Sequence, residues 1–480
     1  MIDLTLPEHE NTNEPLYKQL YHRIRGLIHS HELVDGARLP SVRSLRLQLN
    51  ISKITIETAY QQLLAEGYIF SKPRSGYYVM NPQLPPLSSS AASAGIQTVC
   101  KTQQAEPDRS AIPIMIDFHP AAVDGSAFPA RSWQKAIGET LTNNPMLLHH
   151  YGDPQGEFEL RSALSRYLKH ARSVVCTPEQ IVIGSGIPYS IQVLCKLLDG
   201  NPLVAVEDPG YPPVKDTFLD NGLPTMAVPV HEYGISIDEL ERSEAGIVYV
   251  TPSHQFPTGV TMPYAARQQL LQWGHNRSAC IIEDDYDGEF FYSGRPLSSM
   301  HSLGRNESVV YIGTFSKVFS PALRLNYMVL PLKMLPKLQE VKHLLSAPSR
   351  VDQLAMHLFM EQGDWHRHIR RMRSLYRKKR RSFIRLLHEQ FGHHIAISGI
   401  NAGLHIEVTL KTGSCGTQDF IESAAKEGMR VYGFQPAPEQ TSPAHAENPK
   451  VYLGFGGIPM EDMERSVTLL WKAWSALLNN

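Results

Sequence analysis

Between Asn81 and Ile112 the sequence reads NPQLPPLSSSAASAGIQTVCKTQQAEPDRSAI, rich in Pro, Ser, Ala and Gln and without a sustained apolar period. Such a stretch buries too little apolar surface to offset its ordering entropy, and Pro82, Pro85 and Pro86 keep its start extended. It constrains the fold more than any other feature. It splits the 480-residue chain into two folding units, residues 1–80 and 113–480, joined by a flexible linker over 81–112. With 46 basic against 47 acidic residues, the chain as a whole does not attract nucleic acid, so any such binding must come from a local patch. No apolar run approaches the roughly 20 residues of a bilayer span. The first residues lack the basic and apolar regions of a secretory signal. A cytoplasmic protein with no membrane contact is expected. Five cysteines, never in a CxxC spacing, and 21 histidines without an HExxH pattern predict reduced thiols and no metal.

In the first unit Leu16, Leu20, Ile24 and Ile28 fall at helical spacing behind Pro15. After the Asp35-Gly36 turn, Ser41 can cap a short helix that turns Val42, Leu45 and Leu49 inward. A third helix starts at Ser52-Lys53-Ile54-Thr55 and carries Ala59, Tyr60, Leu63 and Leu64 to a stop at Gly67. Residues 68–79 then read as two strands around a turn. Helix, helix-turn-helix and hairpin make a winged helix. Its third helix would present Ser52, Lys53 and Thr55 to phosphates and base edges, with Ser41 and Arg43 before it and Arg74 and Gly76 at the hairpin tip. Between Ser41 and Met80 five cations face two acids. A small helical domain with a solvated polar face would show the same spacing.

The second unit alternates strand-like runs, at 180–183, 203–206, 246–250, 279–282 and 308–312, with longer helical patterns, which predicts an α/β fold around a mostly parallel sheet. Ligands of such sheets gather at strand carboxyl ends. Two ends carry chemistry: Glu283-Asp284-Asp285-Tyr286-Asp287, expected directly after one strand, and Gly313-Thr314-Phe315-Ser316-Lys317 after another, with Arg324 seven positions on. A surface turn could hold these groups. Against that, Phe315, Val318, Phe319 and Leu323 bracket the lysine and make its amine a better nucleophile. An amine for a Schiff base, a carboxylate for a ring nitrogen, a phenol, and cationic and hydroxyl donors are the groups pyridoxal phosphate needs. A long run from Trp365 to Leu387 holds ten Arg and Lys and no acid, either a second phosphate-backbone patch or the solvated face of a helix burying Ile369, Met372 and Tyr376.

The string PSVRSLRLQLNISKITIETAYQQLLAEGYIFSKPRSGYYV resembles the GntR-type winged helix, with Lys53 where arginine is usual. YGDPQG (151–156), EDPGY (207–211), TPSHQFPTG (251–259), EDDYDGEF (283–290) and GTFSKVFSPALRLNY (313–327) occur in the order found in fold-type I aminotransferases. Together the two halves resemble the MocR-type subfamily of GntR regulators. The fold implied is a winged helix-turn-helix, a flexible linker and a C-terminal α/β fold-type I transferase-like domain that binds pyridoxal phosphate and dimerises. Position by position, the resemblance implies that Lys317 bonds the cofactor covalently, Asp284 pairs with its ring nitrogen, Tyr286 bonds its ring hydroxyl and Tyr211 stacks on its ring. It gives Arg324, Thr314 and Ser316 to the phosphate, and Tyr151 to the phosphate of a neighbouring subunit. The phosphate loop departs from the family pattern: Gly186-Ile187-Pro188 lacks a hydroxyl and an N–H. Phe256 replaces an asparagine of the aminotransferases. Pro213 and Tyr452 stand where arginines for a substrate carboxylate would be.

The function implied is a homodimeric regulator that binds a double-stranded DNA operator and responds to pyridoxal phosphate itself, or to an amine or amino acid that displaces Lys317 from the cofactor. The alternatives are an active aminotransferase with an ancillary DNA-binding head, and a DNA-binding protein whose large unit only dimerises.

Overall fold

The structure, a computed structural model, describes residues 14–80 apart from 31 and 73–74, and residues 115–478 apart from 144, 293–297, 305–307, 413–414 and 434–447. The expected linker and Arg74 lie outside the described residues. The chain divides near Arg109 into two compact units.

The first unit packs α1 (Leu16–His29), α2 (Val42–Leu49) and α3 (Lys53–Ala65) beside a hairpin of β1 (Ile69–Lys72) and β2 (Gly76–Val79). Its core joins Leu20, Ile24, Ile28, Leu45, Ile56, Ala59, Tyr60 and Leu63 to Ile69 and Val79. Two residues expected in that core are outside it: Leu16 is 50% exposed and Leu64 40%. Leu16 opens its helix, where no element among the described residues covers it, and Leu64 falls beside the buried stripe of α3. Ser41 caps α2 by accepting from the Ser44 N–H, and Asn50 ends that helix in the left-handed region at φ +51°. Gly67, at φ +76°, provides the turn after α3 that few other residues allow.

The second unit is built on an eight-stranded sheet in the order β4 (Ile181–Gly184), β11 (Asn326–Val329), β10 (Val309–Thr314), β9 (Cys280–Asp285), β8 (Ala245–Val250), β5 (Leu203–Asp208), β6 (Thr225–His231) and β7 (Gly234–Ile235). The pairs among β10, β9, β8, β5 and β6 are parallel; β11 and β7 run antiparallel to their neighbours. The central strands are buried on both faces, which is why they read as continuous apolar runs. Two of them reach further than the apolar runs did. β9 includes Glu283, Asp284 and Asp285, and β10 includes Gly313 and Thr314, so these polar groups end the strands instead of following them. Backbone pairing continues through the carboxylates because buried partners satisfy them: Glu283 accepts from the N–H groups of Met300 and His301, and Asp285 from Arg172 at 2.5 Å and the Tyr311 hydroxyl at 2.6 Å.

A smaller sheet, of β12 (Ile395–Ser398), β13 (His405–Leu410) and β15 (Lys450–Gly454), has its own core, and β3 (Ile116–Asp117) pairs with β14 (Met429–Arg430). A 28-residue helix, Asp364–Phe391, buries Ile369, Met372 and Tyr376 on one side. Arg370, Arg377, Lys378 and Arg381 stand exposed on the other. Among the described residues no helix is long and apolar enough to cross a membrane.

Candidate functional site

The carboxyl ends of β8, β9 and β10 lie side by side, and their register puts Ile312 against Asp284 and Gly313 against Asp285. Because β11 returns antiparallel beside β10, the connection between them stays at this end of the sheet. It carries Lys317 and, just before β11, Arg324 in the left-handed region at φ +52°. Helix α4 (Ile187–Leu197) starts after β4, and α5 (Pro212–Asp220) starts after Tyr211. Together these ends enclose a cavity of about 240 Å³ that brings together Lys317, Asp284, Tyr286, Tyr211, Arg324, Thr314, Ser316, Gly186 and Ile187.

Lys317 is half-buried because the cavity opens onto it. Burial lowers its amine to about 8, against the opposing pull of Asp287 and Asp284, and Nζ donates to the Ala121 carbonyl at 2.8 Å. An amine so lowered is a nucleophile near neutral pH. Asp284 is buried. Its Oδ2 accepts from the Tyr249 hydroxyl, and its Oδ1 has no partner among the described residues. Burial pushes this carboxyl up to about 7, opposed by the Tyr249 bond and reinforced by Asp285, Asp287 and Glu207. A cationic donor beside Oδ1 would restore the ionised form.

Tyr286 does not stand free: its hydroxyl is 2.9 Å from His254 Nδ1, which is also 2.8 Å from Asp287 Oδ2. Tyr211 meets Phe256 edge-on, with centroids 5.5 Å apart. Phe256 sits on a loop tied to Glu207, which accepts from the Thr251 N–H and hydroxyl and from Gln255. Thr314 Oγ1 accepts from the Ser316 N–H at 3.1 Å and bonds its hydroxyl at 3.0 Å. At Gly186, φ is +136°, and a Cβ there would lie 2.6 Å from Arg324 Nη2, so the glycine gives the guanidinium its place. The Gly186 N–H is taken by Asn326 Oδ1 at 3.0 Å. Gly186 therefore contributes space and not a donor. Tyr151 is fully exposed and outside the cavity, and Tyr452 is buried.

On the first unit, Ser52 caps α3 by accepting from the Thr55 N–H at 3.1 Å, and the two hydroxyls are 2.8 Å apart. Lys53 is exposed and pairs with Glu57 at 3.4 Å; Arg43 and Gly76 are exposed. Sequence reasoning missed Tyr249, His254, His405 and Ala121. Tyr249 sits inside an apolar strand run, and the other three reach the site only through packing between segments far apart in the chain.

One chain thus carries a winged-helix unit and, in a separate unit, a cavity of the aminotransferase type. Residues 16–79 match the bacterial regulatory proteins of the gntR family, and residues 121–406 match aminotransferase class I and II. The chain is 39% identical to the uncharacterized HTH-type transcriptional regulator YdeL of Bacillus subtilis (strain 168), over 98% of this chain and 100% of that one. It is 31% identical to the probable rhizopine catabolism regulatory protein MocR of Rhizobium meliloti, over 96% and 94%. Its fold is similar to that of the α-aminoadipate aminotransferase LysN from Thermus thermophilus, complexed with N-(5'-phosphopyridoxyl)-L-leucine, with a TM-score of 0.66, 25% identity, and coverage of 76% and 93%. The chain belongs to the MocR-type branch of the gntR family of HTH-type transcriptional regulators, its second unit being of the class I and II aminotransferase family.

Proposed function

We propose that this chain is a homodimeric, pyridoxal phosphate-binding transcription regulator in which residues 113–480 sense a small molecule and residues 1–80 bind a double-stranded DNA operator, with 81–112 as linker. The observation that carries the cofactor reading is Asp284 Oδ1, a buried oxygen without a partner among the described residues, in the cavity that holds the Lys317 amine. The residues fit the group. Bound there, pyridoxal phosphate supplies an aldehyde that an amine can attack and a ring that withdraws electrons. Lys317 is the attacking amine, Asp284 holds the ring nitrogen protonated, Tyr286 addresses the ring hydroxyl and Tyr211 covers the ring. Arg324, Thr314 and Ser316 hold the phosphate, with Ile187 at the start of α4 and Gly186 giving room. Tyr151, exposed in one protomer, serves the phosphate of its partner.

At the operator, Ser52 and Thr55 fix the start of the recognition helix, Lys53 and Arg43 meet phosphates, and Ser41, Arg74 and Gly76 complete the contact. A ligand that binds two dimer conformations unequally shifts operator affinity by that difference and no more. The effector is the cofactor itself, or an amine or amino acid that takes the place of Lys317. A gel-shift titration of apo-protein on DNA upstream of its own gene, repeated with pyridoxal phosphate and then with amines, tests this. A specific shift whose midpoint moves with either supports the reading. No specific shift under any condition, with turnover of an amino acid to its keto acid, replaces it by an aminotransferase.

A further inference from the structure

Behind Tyr286 lies a group of buried side chains to which none of these roles has been given. His254 presents one nitrogen, Nδ1, to two oxygens: Asp287 Oδ2 at 2.8 Å and the Tyr286 hydroxyl at 2.9 Å. Its other nitrogen, Nε2, is buried and has no partner among the described residues. The ring is held from both sides by glycines. A Cβ on Gly403, where φ is +72°, would fall 1.9 Å from His254 Cε1 and 2.6 Å from Asp287 Oδ2, and a Cβ on Gly259 would fall 3.2 Å from Nε2. From β13, His405 faces the same ring with centroids 4.6 Å apart, while its own Nε2 is bonded to the Pro257 carbonyl at 2.9 Å. The other charged groups that act on this cluster are Lys317 from the β10–β11 connection, Asp284 and Asp285 from β9, and Glu207 from β5.

A single nitrogen carries either a proton or a lone pair, and here both ends of the ring decide which. A lone pair on Nδ1 would face the Asp287 carboxylate, and a proton on Nε2 would be a buried donor with nothing to accept it; both are unfavourable. The proton therefore sits on Nδ1. Tyr286 can then only accept from His254, so its own hydrogen must point elsewhere, and Tyr286 lines the cavity. We propose that His254 and Asp287 are positioning residues that fix the Tyr286 hydroxyl as a hydrogen-bond donor into the cavity, toward the ring hydroxyl oxygen of the bound cofactor. This rests on the reading that the cavity takes pyridoxal phosphate on Lys317. A donor at that oxygen favours its anionic form, so the pH at which the Lys317-bound cofactor loses its proton is held low.

The test uses the full chain loaded with pyridoxal phosphate and follows its visible absorbance against pH. An asparagine amide nitrogen reaches the position of Nδ1, whereas glutamine reaches only that of Nε2. His254→Gln is expected to raise the midpoint by about one pH unit, a tenfold change in proton affinity, and His254→Asn to stay near wild type. Tyr286→Phe is expected to rise similarly, and the double variant His254→Gln/Tyr286→Phe no further than Tyr286→Phe alone. A His254→Gln midpoint equal to that of wild type, or a double variant in which the two shifts add, overturns the proposal. Failure of the underlying reading looks different: wild type gains no visible band that Lys317→Ala lacks, and the proposal falls with it. Should His254→Gln not fold, ¹⁵N-histidine spectra of the wild-type chain decide, with a His254 proton on Nδ1 expected and one on Nε2 overturning the proposal.

Discussion

Replacing Tyr249 with phenylalanine removes the hydrogen bond that its hydroxyl donates to the Asp284 carboxyl while keeping the ring, which is buried in the core on one face of the sheet. Asp284 is pushed up to about 7 even with that bond in place. A hydrogen bond to an ionised acceptor contributes about 1–1.5 kcal/mol more than one to a neutral acceptor, so its loss raises the carboxyl by roughly one further unit. At pH 7 the ionised fraction then falls from about half to about a tenth, and affinity for a ligand that needs the carboxylate weakens about fivefold. By pH 9 the carboxyl is largely ionised in both proteins and most of the difference disappears. The assay is a pyridoxal phosphate titration of wild type and Tyr249→Phe, followed by absorbance at pH 7 and pH 9. A loss that is the same at both pH values, or absent at pH 7, would refute the assignment of Asp284 to the ring nitrogen and of Tyr249 as its support.

Gly186→Ala puts a Cβ 2.6 Å from Arg324 Nη2 at φ +136°, and the strain and displaced guanidinium should weaken cofactor binding roughly tenfold; the same titration measures it. Ser52→Ala removes the α3 cap, which costs about 1 kcal/mol, and should lower operator affinity in the gel shift and the melting temperature of the first unit. Glu207 is pushed up to about 7 from 4.5 by burial. Since the folded-state value is the higher, its contribution to stability is complete below pH 4.5 and is lost as pH rises through 7. Glu207→Gln, which stays neutral, should therefore gain on wild type by on the order of 2–3 kcal/mol between pH 5 and pH 8.5, read by urea denaturation. A gain that does not grow with pH contradicts the assignment.

Much of this architecture was legible in the chain because its signals are local. Ser41 and Ser52 stand where caps belong and accept from Ser44 and Thr55. Lys317 and Arg324 lie seven positions apart on one connection, so a single string of sequence, from Thr314 to Arg324, carried five of the fourteen residues that line the cavity. What escaped depends on register between distant segments. Tyr249 reaches Asp284 only because β8 and β9 are neighbours, and His254 meets Tyr286 and His405 because three separate segments pack together. The carboxylates of β9 read as following the strand because charged residues in a buried strand break the apolar pattern, whereas their partners, Arg172 and Tyr311 among them, come from elsewhere in the fold.

The bond from Lys317 to the Ala121 carbonyl makes a piece of the protein's own backbone a competitor for the site. Any aldehyde that captures this amine must first win it from Ala121, so measured affinity is a difference between two occupants of one nitrogen. Such an exchange is worth roughly 0.5–1.5 kcal/mol, enough to weaken a carbonyl ligand about two- to tenfold relative to an amine left in water. Further along the same stretch, Asp124 is held twice, by its ion pair with the buried Lys379 at 2.6 Å and by its N–H, which donates to the Tyr376 hydroxyl at 3.0 Å. Capture of the amine removes the tether at Ala121 and leaves both of those intact, so this short loop is loosened at one end while Asp124 stays anchored.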